Sequence, residues 1–188
     1  HLPEEHKKDV LEISEYWQGK TLREKCYAQM PEELKKDSQV KAVHGEGNMT
    51  SGDGHIVPDF EKALKVGLRG IINEAVEARD KVDITVFGGY DKRDFLDSIV
   101  ILNEAVIDFA HRFSSLASEF AEKETDEKRK KELLTIAENC KNVPENSPKT
   151  FWEAVQLIWF IHLVIQIESN GHSASLGRTD QYLYKKNK

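Results

Sequence analysis

Two short polar runs carry residue types that could act on a small molecule: Gly52-Asp-Gly-His55 and Asn170-Gly-His-Ser-Ala-Ser175. A histidine titrates near neutrality and can give or take a proton at a reacting oxygen. A serine beside it can hydrogen-bond a substrate hydroxyl. The first run closes a stretch from His44 to Gly54 with four glycines, where backbone can approach a ligand closely. The second follows a long apolar segment, so its polar groups could be held beside a dry interior. A helix C-cap explains the second run as well: Asn170-Gly171 would stop the helix and His172 would meet only its last carbonyls. On spacing alone the cap is the commoner arrangement.

Other chemistries lack their patterns. The seven histidines form no HxH or HxxxH pair, and Cys26 and Cys140 stand far apart with no histidine beside them. A metal site would have to be assembled from distant residues. No Walker A run, GxGxxG turn or GxSxG elbow occurs. The net charge of −6, without a basic stripe, argues against a nucleic-acid partner. Two isolated cysteines suit a reducing cytoplasm, and the charged stretch from Pro3 to Trp17 does not resemble a signal peptide.

The elements that would position these runs read as helices. Charged helices are expected over residues 4–15, ending at Gly19, then over 22–28 and after Pro31. Asp59 should cap a helix reaching about Asp80, with Phe60, Leu64, Leu68, Ile71, Ala75 and Ala78 on one face. Val82–Phe87 is ambiguous between strand and loop, and Gly88-Gly89 breaks it. A seam of Phe95, Ile99, Leu102, Val106, Phe109, Phe113, Leu116 and Phe120 then alternates steps of four and three. It suits either a dimerising coiled coil or packing inside a larger helical layer. Its bulky aromatics favour the layer. A further helix should run from Asp126 to Cys140, turning Leu133, Ile136, Ala137 and Cys140 inward.

After a proline-bearing break at 142–149, Thr150-Phe-Trp-Glu153 has the capping-box pattern. The helix it opens is apolar nearly all round and must be covered by other protein. Glu153, Gln156, His162 and Gln166 within Phe151–Ile167 argue against a membrane span. This chain offers limited material to cover such a helix, so part of the molecule is expected to be missing. The end at Lys185-Lys-Asn-Lys188, just after the Tyr182 and Tyr184 pair, points the same way. No linker divides the chain, so residues 1–188 are expected to form a single segment of a mainly α fold.

The runs Thr150-Phe-Trp-Glu-Ala-Val-Gln156, Trp159-Phe160, His162-Leu163, Glu168-Ser-Asn-Gly-His-Ser173 and Leu176-Gly-Arg-Thr-Asp-Gln-Tyr-Leu-Tyr184 resemble a long signature of glycyl-radical enzymes, the pyruvate formate-lyase-like family. Tyr16-Trp17-Gln18-Gly19-Lys20-Thr21, Gly52-Asp-Gly-His-Ile-Val-Pro-Asp59, Leu64, Gly67-Leu68, Arg129–Leu133, Ile136-Ala137 and Val143-Pro144 extend it over nearly the whole chain, in the family's order. The resemblance implies an α/β barrel of ten strands in two antiparallel sets, of which this chain would be the helical N-terminal part. In the glycerol and diol dehydratase branch it implies His172 as the catalytic proton donor to a departing hydroxyl. His55 and Ser173 would be its substrate-binding partners.

It also implies a catalytic cysteine loop and a C-terminal glycine loop, and neither is in this sequence. Cys26 and Cys140 fall outside that context and read as structural. The segment itself is expected to bind no cofactor. The longer enzyme would need a glycyl radical installed by a radical SAM activating enzyme, and would be a cytoplasmic homodimer acting on a small molecule, with neither nucleic acid nor membrane as partner. Taken alone, the chain is expected to be inactive. Formate acetyltransferase, choline C–N lyase, aryl decarboxylase and arylsuccinate synthase chemistry would reuse the same scaffold. A non-enzymatic helical dimerisation protein is the alternative from another class.

Overall fold

The structure, a computed structural model, describes residues 3–40, 56–168 and 174–184. They belong to two compact units. The first contains the N-terminal helices and the second runs from Val57 to Ile167 and from Ala174 onward. Among the described residues there are helices and turns but no run of strand, in line with the mainly α expectation.

In the first unit, α1 (Glu4–Trp17) starts after Pro3 with Glu4 and Glu5 in its first turn, where acidic groups suit the helix dipole. Gly19 follows at φ 75°, in the left-handed region that glycine takes readily. α2 (Leu22–Gln29) opens on a reciprocal capping box. Glu24 N–H donates to Thr21 Oγ1 at 3.3 Å, and Thr21 N–H donates to Glu24 Oε2 at 3.2 Å. The Thr21 hydroxyl, followed by the Gly19 and Thr21 amides, holds the Glu24 carboxyl below its ordinary value. α3 (Glu32–Gln39) follows Pro31. α1 and α2 bury no residue.

The second unit is built on α4 (Phe60–Arg79), α5 (Gly89–Lys123), α6 (Glu127–Asn142), α7 (Phe151–Glu168) and the short α8 (Thr179–Tyr184). Asp59 caps α4 as expected, accepting from Lys62 N–H at 2.9 Å. Phe60, Leu64, Leu68 and Ala75 are buried as read from the spacing. Ile72 takes the core position expected of Ile71, and Ala78 is exposed. α4 is broken at Gly67, whose φ of 66° and ψ of 173° are not helical, and beyond it Leu68, Ile72 and Ala75 follow at steps of four and three with Ile71 partly buried beside them. Val82–Phe87 resolves as turns, with Asp83 Oδ1 accepting from Thr85 N–H at 2.8 Å and from its hydroxyl at 2.6 Å. Gly88, at φ 76°, then opens α5.

α5 and α6 fold back on each other through residues 124–126. Asp126 caps α6 by accepting from Arg129 N–H at 2.8 Å, and Ser114 Oγ donates to Ala137 O at 2.7 Å across the pair. Along the α5 seam, Val106 is buried and Phe109 and Phe113 pack on Phe160. Phe95, Leu102, Leu116 and Phe120 remain about half exposed or more. The seam thus packs inside a helical layer only over its middle.

α7 is the centre of the unit. Ala154, Leu157 and Phe160 are fully buried, in contact clusters with α4, α5 and α6. Burying a side chain such as Phe160 is worth about 2–3 kcal/mol. Phe151, Trp152, Val155 and Trp159 are more than 40 % exposed, so a second face of α7 is uncovered by the described residues. The helix is long and apolar enough to cross a membrane, but its buried face is packed against helices here.

Candidate functional site

His55, His172 and Ser173, the residues singled out in the sequence, lie outside the described residues. The described residues that adjoin them have a definite arrangement. Val57 follows His55 by two positions, and Ala174–Arg178 follows Ser173 directly. At Gly177, φ is 68° and a Cβ would stand 3.0 Å from Val57 Cγ1. The two flanking stretches therefore touch, and a side chain at Gly177 would strain a positive φ and require Val57 to give way. Gly177 N–H donates to Ser175 Oγ at 3.2 Å, which holds the local turn.

Beside them is a cavity of about 260 Å³ lined by α4, α5 and α7. Pro58 and Asp59 contribute from the start of α4, Val164 and Ile165 from the last turns of α7, and Leu102 and Val106 from α5. The first two residues lie three and four positions after His55. The second pair lies eight and seven positions before His172. The start of α4 and the last turns of α7 thus line one largely apolar recess. A polar group held at such a wall makes stronger hydrogen bonds than it would in water.

The frame behind this recess was not read from the sequence. The break at Gly67 leaves the amides of the second half of α4 without helical acceptors, and the α6–α7 loop supplies them. Leu68 N–H donates to Pro144 O and Arg69 N–H to Glu145 O, both at 2.9 Å. Ser147 Oγ donates to Leu64 O at 2.8 Å, using a carbonyl the break sets free. The Arg69 guanidinium grips Glu145 Oε1 through Nε at 3.1 Å and Nη2 at 2.9 Å, while His111 Nε2 lies 3.4 Å from Glu145 Oε2. Charge-assisted bonds of this kind are the stronger class. A glycine inside an otherwise helical face, matched to a proline loop downstream, is the signal that could have revealed the contact.

The capping box expected at the start of α7 is present. Glu153 N–H donates to Thr150 Oγ1 at 3.1 Å, and Thr150 N–H donates back to Glu153 Oε2 at 3.2 Å. Glu153 is 6 % exposed and also accepts from Lys149 N–H and, at 3.0 Å, from Asn142 Nδ2. Glu153→Ala would leave those donors unpaired in a mostly dry site. We expect it to cost about 2 kcal/mol, more than an exposed cap does, as a lowered urea midpoint.

Among the described residues no group of His, Cys, Asp and Glu could hold a metal ion. Cys140 is 2 % exposed, and burial pushes its thiol up to about 11. It is therefore a protonated core side chain, not a thiolate nucleophile. Cys26 is partly exposed on α2.

Comparison with known proteins bears on this arrangement. The family model described as pyruvate formate lyase-like matches residues 1–185. The chain is 44% identical over 183 residues to the probable dehydratase YbiW of Escherichia coli, covering 97% of this chain and 23% of that protein. It is 38% identical to the (2S)-3-sulfopropanediol dehydratase of Klebsiella oxytoca, over 96% of this chain and 22% of that one. Among solved structures it resembles the glycerol-bound form of the B12-independent glycerol dehydratase from Clostridium butyricum. The TM-score is 0.85 and the identity 40%, over 98% of this chain and 24% of that one. The chain thus spans about a quarter of the length of the relatives it matches.

Proposed function

This chain belongs to the pyruvate formate lyase-like family of glycyl-radical enzymes, and we propose that it forms one wall of the substrate pocket in a longer diol dehydratase. The observation that carries this reading is its likeness to the glycerol-bound dehydratase, at 40% identity across nearly the whole chain. The contact between the stretches that follow His55 and Ser173 supports it, because residues at both runs could then reach one substrate.

In this reading the substrate is a 1,2-diol or glycerol and the reaction is radical C–O cleavage. His172 gives a proton to the departing hydroxyl, which leaves as water. His55 and Ser173 hydrogen-bond the hydroxyls and fix which C–H bond faces the abstracting group. The glycyl radical, installed by a radical SAM activating enzyme, supplies the hydrogen abstraction through a cysteine beyond this sequence. The recess formed by α4, α5 and α7 keeps the site dry. The longer enzyme is a cytoplasmic homodimer.

The test is anaerobic activation of the full-length polypeptide, with glycerol and propane-1,2-diol as probes. We expect a glycyl radical signal by electron paramagnetic resonance and an aldehyde product. Residues 1–188 alone should give neither. Aldehyde from the short chain would refute the assignment of a partial pocket. A radical signal with neither diol consumed would refute the substrate class and leave the family membership standing.

A further inference from the structure

Tyr182 has no part in the chemistry proposed above, yet it touches both flanks of the proposed pocket. It sits on α8, and its ring packs against Phe60 in the first turn of α4, with centroids 6.0 Å apart and planes at 38°. Phe60 is 2 % exposed and belongs to the cluster of Ala63, Leu64, Leu157 and Ile158, against which Tyr182 and Leu183 pack. From that seat the Tyr182 hydroxyl donates to Leu176 O. Burial raises the phenol above its ordinary value, so it stays a donor.

Leu176 precedes Gly177, the residue pressed on Val57. One side chain thus ties the strap of residues 174–178 to the head of α4. Val57, Pro58 and Asp59 lead into that head. We infer that Tyr182 is a positioning residue: its ring, seated on Phe60, and its hydroxyl, bonded to Leu176, fix the strap of residues 174–178, which follows Ser173 in the sequence, against Val57. Its consequence for substrate rests on the diol dehydratase reading above.

Tyr182→Phe separates the two parts, since it keeps the ring on Phe60 and deletes only the bond to Leu176. In the activated full-length enzyme, KM for propane-1,2-diol should rise by up to about five-fold, the limit reached if all the free energy of that intramolecular bond is passed on to substrate binding. The glycyl radical yield and kcat should stay within about two-fold of the parent. Amides of residues 175–178 should exchange faster with deuterated solvent. Gly177→Ala, which strains a positive φ and crowds Val57, should raise KM in the same direction.

Unchanged exchange in Tyr182→Phe would overturn the inference. Faster exchange with unchanged KM would also overturn it, because the bond would then serve the strap alone. If the parent enzyme turns over neither diol, the functional reading falls, and exchange by itself decides whether Tyr182 holds the strap.

Discussion

Replacing Gly67 by alanine is expected to lower stability by about 3–5 kcal/mol, seen as a lower midpoint in urea at unchanged slope. Two effects combine. The backbone at φ 66°, ψ 173° is a region that only glycine occupies without strain. The added Cβ would also stand 2.4 Å from Glu145 O and 2.6 Å from the Asn146 carbonyl carbon, both backbone atoms that cannot rotate away. Relief would require pulling the loop off α4, with loss of the Leu68 and Arg69 amide bonds and the grip of Arg69 on Glu145. Gly19→Ala provides the control. Gly19 has φ 75° but nothing within 4 Å of its added Cβ, so only the conformational cost remains, about 1–2 kcal/mol. Equal losses at the two glycines would show that the contact with the 144–147 loop contributes nothing.

In the full-length enzyme, His172→Gln is expected to lower kcat on propane-1,2-diol by about 10²- to 10⁴-fold while leaving the glycyl radical signal intact. Glutamine keeps a hydrogen-bonding amide but cannot supply a proton near neutral pH. A departing hydroxide would then have to leave without protonation. His55→Gln, which touches only substrate orientation in this reading, should act less on kcat and more on KM. Parent-like turnover by His172→Gln would remove it from the chemistry and return it to the role of a helix cap.

Much of the architecture was legible in the sequence because local chemistry dictates it. Asp59, Asp126 and Thr150 announce helix starts through side chains that accept from amides three positions on, and each does so. Thr21-Leu-Arg-Glu24 carries the same signal and gives the same box on α2. What was not legible depends on contacts distant in sequence. A helical face read at fixed period runs straight through Gly67 and shows neither the break nor the loop that answers it, and after Leu68 it leaves Ile71 and Ile72 equally eligible for the core. Tyr184, two positions after Tyr182, is 64 % exposed, whereas Tyr182 meets Phe60. The residue types proposed for the site stand in the sequence, while His55, His172 and Ser173 themselves lie outside the described residues. The flanks of the site were not legible, since the approach of Val57 to Gly177 follows from how α4 and α8 pack.

The clasp between α4 and the α6–α7 loop has a kinetic side. Arg69 and Glu145 are 76 positions apart, and Leu64 and Ser147 are 83 apart. The chain entropy lost in closing so long a loop grows only by about 0.6 kcal/mol per doubling, so the span itself is thermodynamically inexpensive. Its effect falls on the order of events. The α5–α6 hairpin, joined by three residues, can form from near neighbours before the clasp finds its partner. Contacts made after the rate-limiting step weigh on unfolding more than on folding. A clasp closed after that step would act as a latch, so Gly67→Ala is expected to shorten the lifetime of the folded chain with little change in how quickly it folds, as stopped-flow unfolding and refolding rates would show.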